Sequence, residues 1–210
     1  MPRFPQHSST TDGLSDRVFS ALLPRIKAHV GTLHPLHVVD TYLQPLKAAW
    51  AQEQRMEAHP TMHKYAPVQG EPMLLEAIRR RLKRRFGADV DPACLQVMSG
   101  ATGGIGVVVN TLLSPGDEVL LPSPYWPLIG GIIRARGAVA VQVPLYTRLA
   151  DPSFDVEAEL EARVTERTAA IYLNSPNNPT GASLSDSQLE ALARVAKRHD
   201  LWVFTDEVYE

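Results

Sequence analysis

Two short apolar runs on either side of an amphipathic stretch, near the carboxyl end of the chain, constrain the fold more than any other feature. Ala170-Ile-Tyr-Leu-Asn174 reads as a buried strand and Ser175-Pro-Asn-Asn-Pro-Thr-Gly181 as a rigid turn. Ser185 to His199 follows as an amphipathic helix, then Leu201-Trp-Val-Phe-Thr205 as a second buried strand. A strand–loop–helix–strand unit of this kind places its strands parallel, joined by a right-handed crossover. In open sheets so built, ligands sit outside the carboxyl ends of the strands. Two polar clusters fall at such ends here, Asn177-Asn178-Pro179-Thr180-Gly181 and Asp206-Glu207-Val208-Tyr209.

The residue types narrow the ligand. A carboxylate just past a buried strand is costly unless it meets a cationic partner. Asn178 and Tyr209 offer neutral hydrogen bonds suited to a phenolate-like oxygen. A ligand with a basic ring nitrogen at one end and a phenolic oxygen at the other satisfies all three, and pyridoxal phosphate is such a ligand. Asp206 would keep its nitrogen protonated, making the ring an electron sink. An Asx turn and a solvated strand end would account for either cluster taken alone. Together and in this order, Asn-Asn-Pro-Thr-Gly and then Asp-Glu-Val-Tyr resemble the class I/II aminotransferases, of the fold type I pyridoxal-phosphate family.

Further upstream, Cys94-Leu-Gln-Val-Met98 reads as a strand, and Ser99-Gly-Ala-Thr-Gly-Gly-Ile-Gly106 opens the next helix. Free N–H groups at a helix start, with glycine allowing close approach, bind phosphate readily. Two readings compete. Gly100, Gly104 and Gly106 match the glycine-rich loop of short-chain dehydrogenases, which cradles a dinucleotide pyrophosphate. That reading needs a Tyr-x-x-x-Lys dyad downstream, and Ile129, Ala150 and Pro176 stand four residues after Tyr125, Tyr146 and Tyr172. The aminotransferase resemblance uses Gly100, Ala101 and Thr102 as the phosphate cup instead.

The resemblance also implies roles elsewhere. Ser114-Pro-Gly-Asp-Glu-Val-Leu-Leu121 reads as a turn feeding a strand, and Pro122-Ser-Pro-Tyr-Trp126 ends that strand and starts a helix. The family's aromatic at Trp126 stacks on the pyridine ring, and an indole face suits a protonated ring; a core tryptophan is the plainer alternative. Tyr65, with Gly70 five residues on, resembles a tyrosine that reaches the cofactor phosphate of a neighbouring subunit, though a packing role is open for it as well. Where the family carries a Gly-Glu/Asp pair close to the substrate carboxylate, this chain has Val39-Asp40, and the branched Cβ of Val39 stands against close backbone approach. Asn178 is implied at both cofactor and substrate.

The remaining stretches supply context. Met1 to Gly13 is rich in Pro, Ser and Thr and reads as an arm. Leu14 to His29 has helical spacing, with Pro24 as a kink. Glu71 to Phe86 is strongly amphipathic, and its basic run Arg79, Arg80, Arg81, Lys83, Arg84 and Arg85 invites a nucleic-acid reading. No aromatics interleave it, and the net charge is −2, so a solvated face is the better account. Ala138 to Val143 reads as another strand and Asp155 to Val164 as a short acidic helix. The one cysteine, Cys94, excludes an internal disulfide and reads as an inert core thiol. No signal pattern opens the chain and no apolar run is long enough to span a bilayer, so cytoplasmic is the default.

The expected fold is α/β, with a three-layer α/β/α large domain built on a mainly parallel sheet, incomplete at its carboxyl end. Residues 1–65 would form an arm and part of a small domain, and 66–210 the first part of the large cofactor-binding domain. The resemblance implies a homodimeric enzyme that moves an amino group between an amino acid and a 2-oxo acid, with no metal. In family members the Schiff-base lysine and the arginine for the substrate carboxylate come later than Tyr209. The five lysines here (27, 47, 64, 83 and 197) match no such motif, so the 210-residue chain alone is expected to be inactive. A non-catalytic remnant, or a cofactor-binding or dimerising module, is the alternative.

Overall fold

The computed structural model describes residues 8–11, 22–34 and 43–209, which fall into two compact units, one holding 8–11 and 100–209 and the other 22–34 and 43–99. The expectations that fall on Leu14 to Ala21 and on the Leu36 stretch with Val39 lie outside the described residues.

In the unit of residues 19–99, α1 (Leu23–Ala28) carries Pro24 in its first turn, where a missing N–H costs nothing. Next come α2 (Lys47–Glu53) and α3 (Pro72–Phe86), the latter stopped by Gly87 in the left-handed conformation. The basic face of α3 is engaged in local ion pairs. Arg79 binds Glu76 at 2.9 Å and Asp89 at 2.8 Å, and Lys83 binds Asp89 at 2.9 Å.

The strand expected at Cys94–Met98 is not formed. Pro92–Cys94 is a 3-10 turn whose Ala93 N–H is capped by Asp91, and no strand lies alongside residues 95–98 among those described. The segment is pinned locally instead: Val97 N–H donates to the Gln69 carbonyl at 2.9 Å, and Gln69 Nε2 donates to the carbonyls of Pro92 and Leu95. Gly70 permits this approach, since a Cβ there would stand 2.4 Å from a Val97 methyl. Cys94 is correspondingly exposed, not a core thiol.

The second unit holds the sheet. Its elements in order are α4 (Gly100–Leu112), β1 (Glu118–Ser123), α5 (Pro127–Ala135), β2 (Val139–Pro144), α6 (Val156–Glu161), β3 (Thr168–Asn174), α7 (Asp186–Arg198) and β4 (Trp202–Asp206). The four strands run in the order β2-β1-β3-β4, with every neighbouring pair parallel. Central strands β1 and β3 are apolar on both faces, as a sheet covered on both sides requires. Leu120, Ile171 and Leu173 point to one face and pack with Leu160, Leu192 and Val195 of α6 and α7. Val119, Leu121, Ala170 and Tyr172 point to the other and pack with Val109, Ile129 and Ile133 of α4 and α5. Each fully buried Leu or Ile contributes about 1.5–3 kcal/mol. These two cores make the three layers.

A capping box starts α7, with Ser185 accepting from Gln188 N–H and the Gln188 side chain accepting from Ser185 N–H. The solvent side of α7 is tied to α6 by Arg194 and Arg198 to Glu157, Arg198 to Glu161, and His199 to Glu161.

One expectation changes sign here. The run Leu201 to Thr205 does form a strand, but not a buried one: Trp202 is 56% exposed. Among the described residues β4 pairs with β3 alone and is an edge of the sheet, and an apolar edge strand lacks the neighbour that would cover it.

Candidate active site

The carboxyl ends of β1, β3 and β4 and the amino end of α4 meet around one concavity of about 220 Å³. Its wall is made by Ala101, Thr102, Trp126, Asn174, Asn178, Asp206 and Tyr209, with Ile105 and Val208. Six residues singled out from the sequence, Ala101, Thr102, Trp126, Asn178, Asp206 and Tyr209, therefore share one surface. Gly100 opens α4 immediately before them. Tyr65 belongs to the other unit and is fully exposed, and Val39 lies outside the described residues. A larger, apolar hollow of about 560 Å³ adjoins along α4 and β4, but the polar groups converge in the smaller one.

Local folding explains each position. The first N–H groups of α4 have no partner within the helix and carry its positive end. Gly100 takes φ +76°, a left-handed conformation that favours glycine, and nothing lies within 4 Å of where a Cβ would be. Trp126 is the N-cap residue of α5, held where β1 gives way to that helix.

The loop after β3 is ordered by its own side chains. Buried Asn177 accepts from the Thr180 hydroxyl at 2.7 Å and donates to the Pro124 carbonyl at 3.2 Å. Asn174 Oδ1 accepts from Asn178 N–H at 2.7 Å, while its Nδ2 donates to the Asp206 carbonyl at 2.9 Å. Asn174 thus ties the two motifs together, helped by its register opposite Asp206. Tyr146 donates to the Asn174 carbonyl at 2.6 Å, and burial pushes its phenol up to about 12. Asn178 Nδ2 donates to Tyr209 Oη at 3.0 Å, and Tyr172 Oη donates to Asp206 Oδ2 at 2.7 Å.

Asn174, Tyr146 and Tyr172 were not foreseen. The first and last sit at alternate positions of an apolar strand, where a polar group marks a partner in the next strand; Tyr146 gave no signal.

A sequence profile of the family described as aminotransferase class I and II matches residues 37–210. The chain belongs to this family. The arginine–pyruvate transaminase of Pseudomonas aeruginosa is 42% identical over 146 residues, covering 69% of this chain and 36% of that protein. The aspartate/prephenate aminotransferase of Thermus thermophilus is 40% identical over 148 residues, covering 70% and 38%. A solved single mutant of the aspartate aminotransferase of Thermus thermophilus superposes with a TM-score of 0.87 at 30% identity, over 99% of this chain and 54% of that one. The chain thus spans a little over a third of the length of these curated relatives. As an aminotransferase-family chain it has the α/β fold type I architecture, and the family implies dependence on pyridoxal phosphate. The dehydrogenase alternative loses its footing, because Gly104 and Gly106 lie inside α4. Among the described residues no helix is long and apolar enough to cross a membrane.

Proposed function

We propose that this chain is the amino-terminal, cofactor-cradling part of a pyridoxal-phosphate-dependent aminotransferase that exchanges an amino group between an amino acid and a 2-oxo acid. The observation that carries the reading is the convergence of an acid, an amide–phenol pair, an indole and a helix amino end on one concavity. When bound, the cofactor supplies an electron sink for the bond-breaking at the amino acid's α-carbon.

The donor set fits that group. The N–H groups at Gly100, Ala101 and Thr102 would hold a phosphate dianion, with open space at the Gly100 Cα for close approach. The Asp206 carboxylate would keep a proton on a ring nitrogen. Asn178 and Tyr209 would donate toward a phenolic oxygen, and Trp126 would offer an aromatic face to the ring and exclude water from it. Asn178 also borders the place for the substrate carboxylate, as Val39 would. None of the five lysines lines the concavity. The lysine that anchors the cofactor and moves the α-proton is assigned, by family resemblance, to positions later than Tyr209.

In this reading residues 1–65 supply the arm and part of the small domain, and 66–210 begin the large one. The enzyme is a cytoplasmic homodimer, with Tyr65 directed to the partner's phosphate. Equilibrium dialysis of the complete apoenzyme against pyridoxal phosphate tests it. Saturable binding at one site per chain, weakened about tenfold or more when both Trp126 and Asn178 become Ala, supports it; no saturable binding overturns it.

A further inference from the structure

We infer that Tyr172 is a positioning residue for Asp206: its buried phenol fixes the carboxylate so that one oxygen is held by the protein and the other is left for the ligand. The inference rests on the proposed cofactor reading and adds a residue that neither motif contains.

The geometry is specific. Tyr172 lies on β3, opposite Phe204 in the register with β4, and is only 2% exposed. Its ring is wedged in the core between the sheet and α4 and α5, so the hydroxyl has little freedom. From there it donates to Asp206 Oδ2 at 2.7 Å, the short length typical of a donor meeting a charged acceptor. Two residues further on and on the same side of β3, Asn174 holds the Asp206 main-chain carbonyl. The carboxylate is therefore restrained at both its backbone and its side chain, each time from β3. Asp206 borders the concavity, and among the described residues Oδ1 has no protein partner.

The chemistry favours this arrangement over a bare aspartate. A carboxylate at a strand end can swing about its side-chain torsions, and ordering it on binding costs free energy. Tyr172 does that ordering beforehand and directs the unsatisfied lone pairs at the concavity. Burial, with the Asp206 carboxylate second, pushes the Tyr172 phenol far above the usual tyrosine range. The hydroxyl thus remains a donor throughout the working pH range. A phenylalanine at 172 would fill the same core space but leave Oδ2 to water.

The test uses the complete apoenzyme and two probes, pyridoxal 5′-phosphate and its 1-deaza analogue, which has a carbon in place of the ring nitrogen. The ratio of their dissociation constants reports what Asp206 does for that nitrogen. Wild type should prefer the nitrogen-bearing probe by about tenfold or more. Tyr172→Phe should lower that preference to about threefold or less while binding the deaza compound as wild type does. In an Asp206→Asn background, Tyr172→Phe should change the ratio no further. A preference that survives Tyr172→Phe, or an equal loss of affinity for both probes, makes Tyr172 a packing residue and overturns the inference. A wild type with no preference removes Asp206 from the ring nitrogen and with it the proposed cofactor geometry. Should Tyr172→Phe fail to fold, a fluorinated tyrosine placed at 172 keeps ring and hydroxyl but strengthens the donor. A shifted ratio then supports the role, and an unchanged one counts against it.

Discussion

Asn178 and Tyr209, 31 residues apart in the chain, meet through a 3.0 Å hydrogen bond from the amide nitrogen to the phenol oxygen. The bond joins the loop after β3 to the end of β4, so a ligand oxygen placed here meets two donors already oriented by one another. Tyr209→Phe removes one donor and leaves the Asn178 amide unordered. Affinity for pyridoxal phosphate should fall about three- to tenfold, the worth of a neutral hydrogen bond. The melting temperature should hold, because both side chains lie at the surface of the site. Dialysis and a thermal melt measure the two quantities separately.

Asp206→Asn replaces an acceptor-only carboxylate by an amide of the same shape. Such an amide cannot keep a ring nitrogen protonated. Turnover by the complete enzyme should fall by about 100-fold or more, since a missing transition-state interaction acts on kcat. Cofactor should remain attached, as absorbance of the dialysed protein will report. Near-normal turnover would remove Asp206 from this role.

Gly100→Val tests the helix amino end. The sequence alone suggests an effect on phosphate binding without much on folding, but the left-handed φ of +76° adds a conformational cost of about 1–2 kcal/mol for any side chain. Urea unfolding should show that loss. Binding of pyridoxal phosphate should weaken beyond it, and equal losses would make the position a matter of backbone strain alone.

Acid should destabilise the sheet-bearing unit through specific carboxylates. The Thr165 hydroxyl and then Arg167 hold Glu118 below the usual carboxylate range, Arg194 and Arg198 do so for Glu157, and His199 chiefly for Glu161. Each group has a lower pKa folded than unfolded. The stabilisation is full above the unfolded value of about 4.3 and is lost as pH falls through the folded one. Urea midpoints should therefore decline below about pH 5. Glu118→Gln should cost about 1–3 kcal/mol at pH 7, because Glu118 is buried, and should flatten that decline. A midpoint that does not move between pH 7 and pH 3.5 would contradict this.

Borohydride treatment of the 210-residue chain with pyridoxal phosphate, followed by peptide mapping, should label no lysine stoichiometrically. Lys197, on the last turn of α7, and the other four are absent from the wall of the concavity. Full labelling of any one of them would place the anchoring group within this chain.

The chain's own pattern determined the strand–helix–strand unit, the start of α7 at Ser185, the parallel pairing of β3 with β4 and the two polar ends that face one concavity. All of these are local or nearly so. Hydrophobic period, a capping box and the length of a crossover are properties of consecutive residues. Apolar content alone could not say whether Leu201–Thr205 is a central strand or an edge, nor whether Cys94–Met98 finds a neighbour. Strand character lies in the segment, but burial depends on what pairs beside it, and the second segment lies against Gln69 and Gly70 instead of a strand. The contacts that aim the site were equally out of reach. Tyr172 and Asn174 become partners of Asp206 only through the register of two strands more than thirty residues apart. Sequence spacing chose which residues reach the rim. Tertiary packing decided which way they point, because orientation is fixed by neighbours that the chain brings together only when it folds.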